Sequence, residues 1–154
     1  MHTHAETAPV AVKSHPKGHN PLGIRWIDHI EFFVDDVDKW AQFYTGKFGM
    51  YKRGYGDPQT GLQGRRAFVV GQGRVNFLFA EAAGKGPEAE AIRAFVAKHG
   101  CGVKDVAFRV RDTAAALRHA AAAGAKVVRP LDEHEVFFGG TIAVVGDHHL
   151  RGFI

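Results

Sequence analysis

A chain of 154 residues, 45% of them hydrophobic and without a long polar block after position 20, suits one globular domain with a real core. No apolar run approaches the ~20 residues that cross a bilayer, no charged-then-apolar secretion signal opens the chain, and the single cysteine, Cys101, excludes an internal disulfide, so a cytoplasmic location is expected. The net charge of +4 is spread along the chain without a basic stripe interleaved with aromatics, which argues against nucleic acid as a partner.

Residues 1–20 carry His2, His4, His15 and His19 among Ala, Pro, Lys and Thr, with no period, and read as a disordered tail whose spacing defines no metal site. Residues 26–34 alternate as a strand. Asp35 or Asp36 then offers a helix cap, and Val37, Trp40, Phe43, Tyr44 and Phe48 recur on one helical face that ends at Gly49. Three strands are expected near 50–55, 66–71 and 74–80, with turns at Gly56-Asp57-Pro58 and Gly71-Gln72-Gly73. Residues 87–99 form a connecting helix closed by Gly100 and Gly102. A strand over 103–110, a cap at Asp112, an Ala-rich helix over 113–123 and Gly124 follow. A strand over 125–129 stops at Pro130, and two more are expected near 135–145 and 148–154.

The two halves repeat. Val110 follows Val34 by 76 positions and Gly124 follows Gly49 by 75. The fold class is therefore α+β, with two tandem βαβββ modules forming a cupped mixed sheet with the helices outside. Residues 21–154 make one domain: module one spans about 24–82, the connecting helix about 87–99, and module two about 102–154. Alternation puts Ile30, Phe32 and Val34 under the first helix and turns Ile27, His29, Glu31 and Phe33 to the cup. In the second copy Val106, Phe108 and Val110 go to the helix, while Asp105, Ala107 and Arg109 face the cup. His29, Glu31, Asp105 and Arg109 thus line one concavity, the natural place for a small molecule.

The paired modules resemble the vicinal oxygen chelate superfamily, which includes glyoxalase I, bleomycin-resistance proteins and extradiol dioxygenases. Within it the chain is most similar to the N-terminal domain of the 4-hydroxyphenylpyruvate dioxygenase and hydroxymandelate synthase family. The residues carrying the resemblance are Asn20-Pro21-Leu22-Gly23, Ile27-Asp28-His29-Ile30-Glu31-Phe32, Gln72-Gly73-Arg74-Val75-Asn76-Phe77, Ala123-Gly124-Ala125-Lys126 and, most specifically, the run from Val96 to Val110 with its His99-Gly100-Cys101-Gly102-Val103-Lys104-Asp105-Val106-Ala107-Phe108 core. The resemblance implies an Fe(II) enzyme that turns a 4-hydroxyphenylpyruvate-like 2-oxo acid and O₂ into homogentisate and CO₂. Its iron is held by two histidines and a glutamate in a separate C-terminal barrel. Nothing of that triad maps onto this sequence. The implied role of this chain is scaffolding and homo-oligomeric assembly, and whether it is itself an enzyme stays open. Its end at Ile154, inside the expected last strand, reads as an N-terminal piece of a longer enzyme, with a shortened relative as the other possibility.

His29 stands where active members of the superfamily place a first-strand metal ligand, and the repeat aligns it with Asp105. One reading is a structural hydrogen bond or ion pair between the two inside the cup. The other is a mixed metal site of His29 and Asp105 completed from Glu81, His148 or His149. The resulting assignment is no catalytic residue, no cofactor-binding residue and no metal ligand, with His29 and Asp105 as ligands only if the chain is a self-contained metalloenzyme. A ligand-binding protein of the bleomycin-resistance type is the third possibility. Cys101 and His99 lack a third partner and read as turn residues. Gly71-x-Gly73 lacks the helix of a phosphate loop. Trp40, Phe43 and Tyr44 read as core or interface.

Overall fold

The computed structural model describes residues 18–132, 135–138 and 142–145, with side chains described through Val127. The expected tail over 1–17 lies outside the described residues. Strand β1 (Ile24–Phe33) leads to helix α1 (Val37–Phe48). Asp36 makes the transition: it is extended, and its carboxylate accepts from Lys39 N at 3.0 Å. At the other end Gly49 takes the left-handed conformation, φ 66°, which a residue with a Cβ adopts only at a cost. Strands β2 (Tyr51–Gly56), β3 (Arg65–Gln72) and β4 (Val75–Ala82) complete the first module. After helix α2 (Pro87–His99) the pattern repeats with β5 (Gly102–Val110) and α3 (Thr113–Ala122), where Asp112 caps by accepting from Ala115 N at 2.9 Å. Strands β6 (Val127–Asp132), β7 (Glu135–Phe138) and β8 (Ile142–Val145) finish it.

All eight strands form one mixed sheet in the order β2-β3-β4-β1-β5-β8-β7-β6. The order reads the same from either edge once each strand is replaced by its repeat partner. Strands β1 and β4 run parallel, as do β5 and β8, and the two first strands meet antiparallel at the centre. There Glu31 stands opposite Asp105 and His29 opposite Ala107, so an approximate two-fold axis passes between these pairs. The α+β, two-module architecture read from the repeat is the one observed.

Two strand boundaries differ from the sequence reading. The single strand expected near 135–145 is two strands, β7 and β8, and the strand expected near 148–154 lies outside the described residues. Strand β6 also does not stop at Pro130 but runs through it. It is the outermost strand, so the N–H that proline lacks can face outward without breaking a ladder bond.

Helices α1 and α3 cover the outer face. Under α1 lie Phe32, Val34, Phe68, Val70, Phe77 and Phe79, and under α3 lie Ile24, Phe108 and Val110. The connecting helix α2 packs on the opposite face. Its Ile92 and Phe95 meet Phe33, Ala67, Val69, Leu78 and Ala80, which closes one end of the inner face with apolar side chains.

Strict alternation fails at the centre. Ile27 pairs with Phe108 and His29 with Ala107, so Asp28 is an extra residue in β1, a β-bulge. Ile27 therefore shares the outer face with Phe108 rather than looking into the cup. Lys104, the repeat counterpart of Asp28, is the extra residue of β5. A third bulge falls at Arg25.

The core depends most on Phe79, which is fully buried with its ring against those of Phe32, Trp40 and Tyr44. Phe79→Ala is expected to cost about 3–5 kcal/mol in urea unfolding. A loss under about 1 kcal/mol would contradict this placement of the core.

Candidate functional site

Four acidic or basic side chains are buried on the two central strands: Asp28, His29, Glu31 and Asp105, at 3%, 2%, 7% and 2% exposure. Charges removed from water this far destabilise the fold unless each is paired or neutralised. The bulge at Asp28 is what allows the pairing. Neighbours in a regular strand point to opposite faces, whereas the two residues of a bulge can share one. Asp28 Oδ2 lies 3.0 Å from His29 Nδ1. From β5, Arg109 donates through Nε to Asp28 Oδ1 at 2.7 Å and also through Nη2 to the same oxygen.

The bulge also frees the Asp28 carbonyl from the ladder, and Asn76 Nδ2 donates to it at 2.8 Å. Asn76 Oδ1 accepts from Arg53 Nη1 at 2.6 Å, and Arg53 Nη2 donates to Gly73 O at 2.9 Å. Gly71 leaves room for this chain of contacts. A Cβ there would stand 2.5 Å from Val75 O, 2.7 Å from Asn76 Oδ1 and 2.9 Å from Arg53 Nε. Its place is thus inside β3 against a packed network, while Gly73 alone takes the turn conformation, φ 59°.

Glu31 is set differently. Arg65 Nη1 donates to its Oε1 at 2.8 Å and reaches Glu88 of α2 at 3.5 Å. Burial pushes the Glu31 carboxyl up to about 7 against the pull of Arg65, and the neighbouring Asp105 adds to the rise. Burial acts on Asp28 in the same direction, but the hydrogen bonds from His29 and Arg109 overcome it and hold that carboxyl below the usual range. One face therefore carries an ionised carboxylate locked in an ion pair and, two strand positions on, a carboxyl that exchanges its proton near neutrality.

The structure gathers His29, Glu31, Asp105 and Arg109 on the central strands, as alternation expected. His29 and Asp105 are two-fold mates and so sit diagonally rather than opposite each other. The group on His29 Nδ1 is Asp28, which strict alternation had turned away. Glu81 is excluded from the cup. It shares the outward parity of Phe77 and Phe79, accepts from Val37 N at 2.7 Å at the start of α1, and pairs with Arg66 at 2.7 Å. His148 and His149 follow β8 and lie outside the described residues. Cys101 donates to Asp35 Oδ1 at 3.1 Å, and burial together with that carboxylate raises its thiol pKa, the opposite of what a nucleophile needs.

Iron, the metal the resemblance implies, needs a set of histidine and carboxylate ligands with open positions. Here both Asp28 oxygens are taken by His29 and Arg109, and Glu31 Oε1 is taken by Arg65. Among the described residues no three His, Cys, Asp or Glu side chains converge on a possible metal position. The described residues do not fit iron. Among the described residues no helix is long and apolar enough to cross a membrane.

Against known proteins, residues 26–148 match the family model of the Glyoxalase/Bleomycin resistance protein/Dioxygenase superfamily. A 4-hydroxyphenylpyruvate dioxygenase from Yarrowia lipolytica is 35% identical over 105 residues, 68% of this chain and 27% of its own length. One from Danio rerio is 34% identical over 115 residues, 73% of this chain and 28% of its own. The chain thus spans about a quarter of the length of the curated relatives it matches. Among solved structures, a mutant 4-hydroxymandelate synthase from Streptomyces coelicolor superposes with TM-score 0.70 at 24% identity, over 80% of this chain and 37% of that one. A methylmalonyl-CoA epimerase from Mycobacterium tuberculosis gives TM-score 0.65 at 22% identity, over 80% and 89%.

The raised pKa of Glu31 has a definite sign. The folded state holds that proton to about pH 7 while the unfolded chain releases it near 4.5, so the stability involved is complete below about pH 4.5 and is lost as pH rises through about 7. Glu31→Gln, uncharged throughout, is expected to flatten this fall in urea unfolding free energy. An unchanged slope across that window would show that Glu31 titrates normally.

Proposed function

The chain belongs to the Glyoxalase/Bleomycin resistance protein/Dioxygenase superfamily, and from that premise we propose that it is the non-catalytic, N-terminal type of domain of a 4-hydroxyphenylpyruvate dioxygenase-like enzyme. Its work is to hold and assemble a separate C-terminal barrel. There, as the resemblance implies, Fe(II), a small 2-oxo acid and O₂ would meet. Homo-oligomerisation and a cytoplasmic location belong to the same reading. Residues 21–154 act as one domain in it.

The observation that carries the proposal is the self-contained pairing of the buried polar groups. Asp28 satisfies both His29 and Arg109, and Arg65 ties Glu31 to the connecting helix. Such a network specifies how two modules meet and leaves few lone pairs for a metal. The match to 27% of the length of the Yarrowia lipolytica 4-hydroxyphenylpyruvate dioxygenase, a domain-sized share, supports the same reading. A second reading, a self-contained metalloenzyme using His29 and Asp105, draws on size alone: the epimerase fold is covered over 89% of its length.

Metal content separates the two. Residues 20–154, loaded with Fe(II) and dialysed, are expected to retain far less than one iron per chain by inductively coupled plasma mass spectrometry. One iron per chain that disappears in His29→Ala would overturn the assembly reading in favour of the metalloenzyme.

A further inference from the structure

We propose that Arg25, Trp26 and Arg74 form a docking surface for an acidic segment of a partner protein. Trp26 is 37% exposed, and the guanidinium carbons of Arg25 and Arg74 each lie 5.3 Å from its ring centroid. Adjacent residues of a regular strand could not stack this way. The bulge at Arg25 turns it to the side of its neighbour's ring. Among the described residues no carboxylate stands within salt-bridge distance of either guanidinium, although Arg53, Arg65, Arg66 and Arg109 are all engaged by polar groups.

The repeat shows that the fold does not call for this arrangement. Trp26 pairs with Arg109, and the two-fold mate of that pair is Gly102 with Phe33. A glycine therefore serves at the position equivalent to Trp26, and Cys101 at the position equivalent to Arg25. Exposed tryptophan and arginine are the side chains most enriched where protein interfaces concentrate their affinity. The indole offers planar apolar contact, and the two guanidinium groups, without a carboxylate among the described residues, supply the charge complement of carboxylates. The occupant that fits is a short segment presenting Glu or Asp beside an apolar side chain.

The test uses the full chain and a synthetic oligoglutamate peptide carrying one leucine, followed by tryptophan fluorescence and isothermal titration at low salt. Saturable binding that weakens with salt, and that falls about tenfold or more in the Arg25→Gln/Arg74→Gln double variant, is the expected result. Trp26→Phe should remove the fluorescence response, leaving Trp40 as an internal reference. Circular dichroism and thermal unfolding of each variant establish that the fold is intact. The idea is overturned by absent binding, by binding unchanged in the double variant, or by tighter binding to a double-stranded DNA oligonucleotide than to the peptide.

Discussion

The structure rests on one extra residue. Asp28 interrupts the pairing of β1 with β5, and by doing so it lies on the same face as His29 and within reach of Arg109. Without the bulge, Asp28 would point outward with Ile30 and Phe108, an unpaired charge among apolar side chains. His29 and Arg109 would remain buried or half-buried without its carboxylate. The freed carbonyl is then recovered by Asn76, whose own oxygen is held by Arg53, and the close approach this needs is possible because position 71 has no side chain. A single irregularity of backbone thus organises contacts across four strands.

The same irregularity recurs at Lys104, its repeat counterpart, so the bulge belongs to the module. What has diverged is the chemistry. The mates are Asp28 and Lys104, His29 and Asp105, and Glu31 and Ala107. A symmetric scaffold therefore carries an asymmetric set of charges, and module one supplies, in Glu31, a carboxyl pushed to the neutral range. Helix α2 adds to the asymmetry. It covers the inner face on the side of β4 and is fastened there by Phe95 on Phe33 and by Glu88 on Arg65.

Much of this was legible in the sequence. The 76-residue offset, the capping aspartates and the glycine stops locate the modules, and the observed register relates the same residues by the same offset. Phe32, Val34, Phe108 and Val110 lie under the module helices as their alternation requires. What escaped was whatever alternation cannot encode. Asp28 follows Ile27 and precedes His29, and only the presence of two consecutive polar residues in an apolar strand hints that one of them is supernumerary. Glu81 looked available as a ligand because its facing depends on the register of β4, which a single sequence leaves open. Pro130 looked like a strand end because its tolerance depends on an edge position that only the sheet order reveals.

The most direct test of this account is a double-mutant cycle on Asp28→Asn and Arg109→Met, read as urea unfolding free energies at neutral pH. If the pair anchors the buried network, each single change breaks the buried ion pair and costs about 3–5 kcal/mol, while the double variant loses far less than the two together. Strictly additive losses would mean that Asp28 and Arg109 do not depend on each other, and the bulge would then not be the element that organises the site.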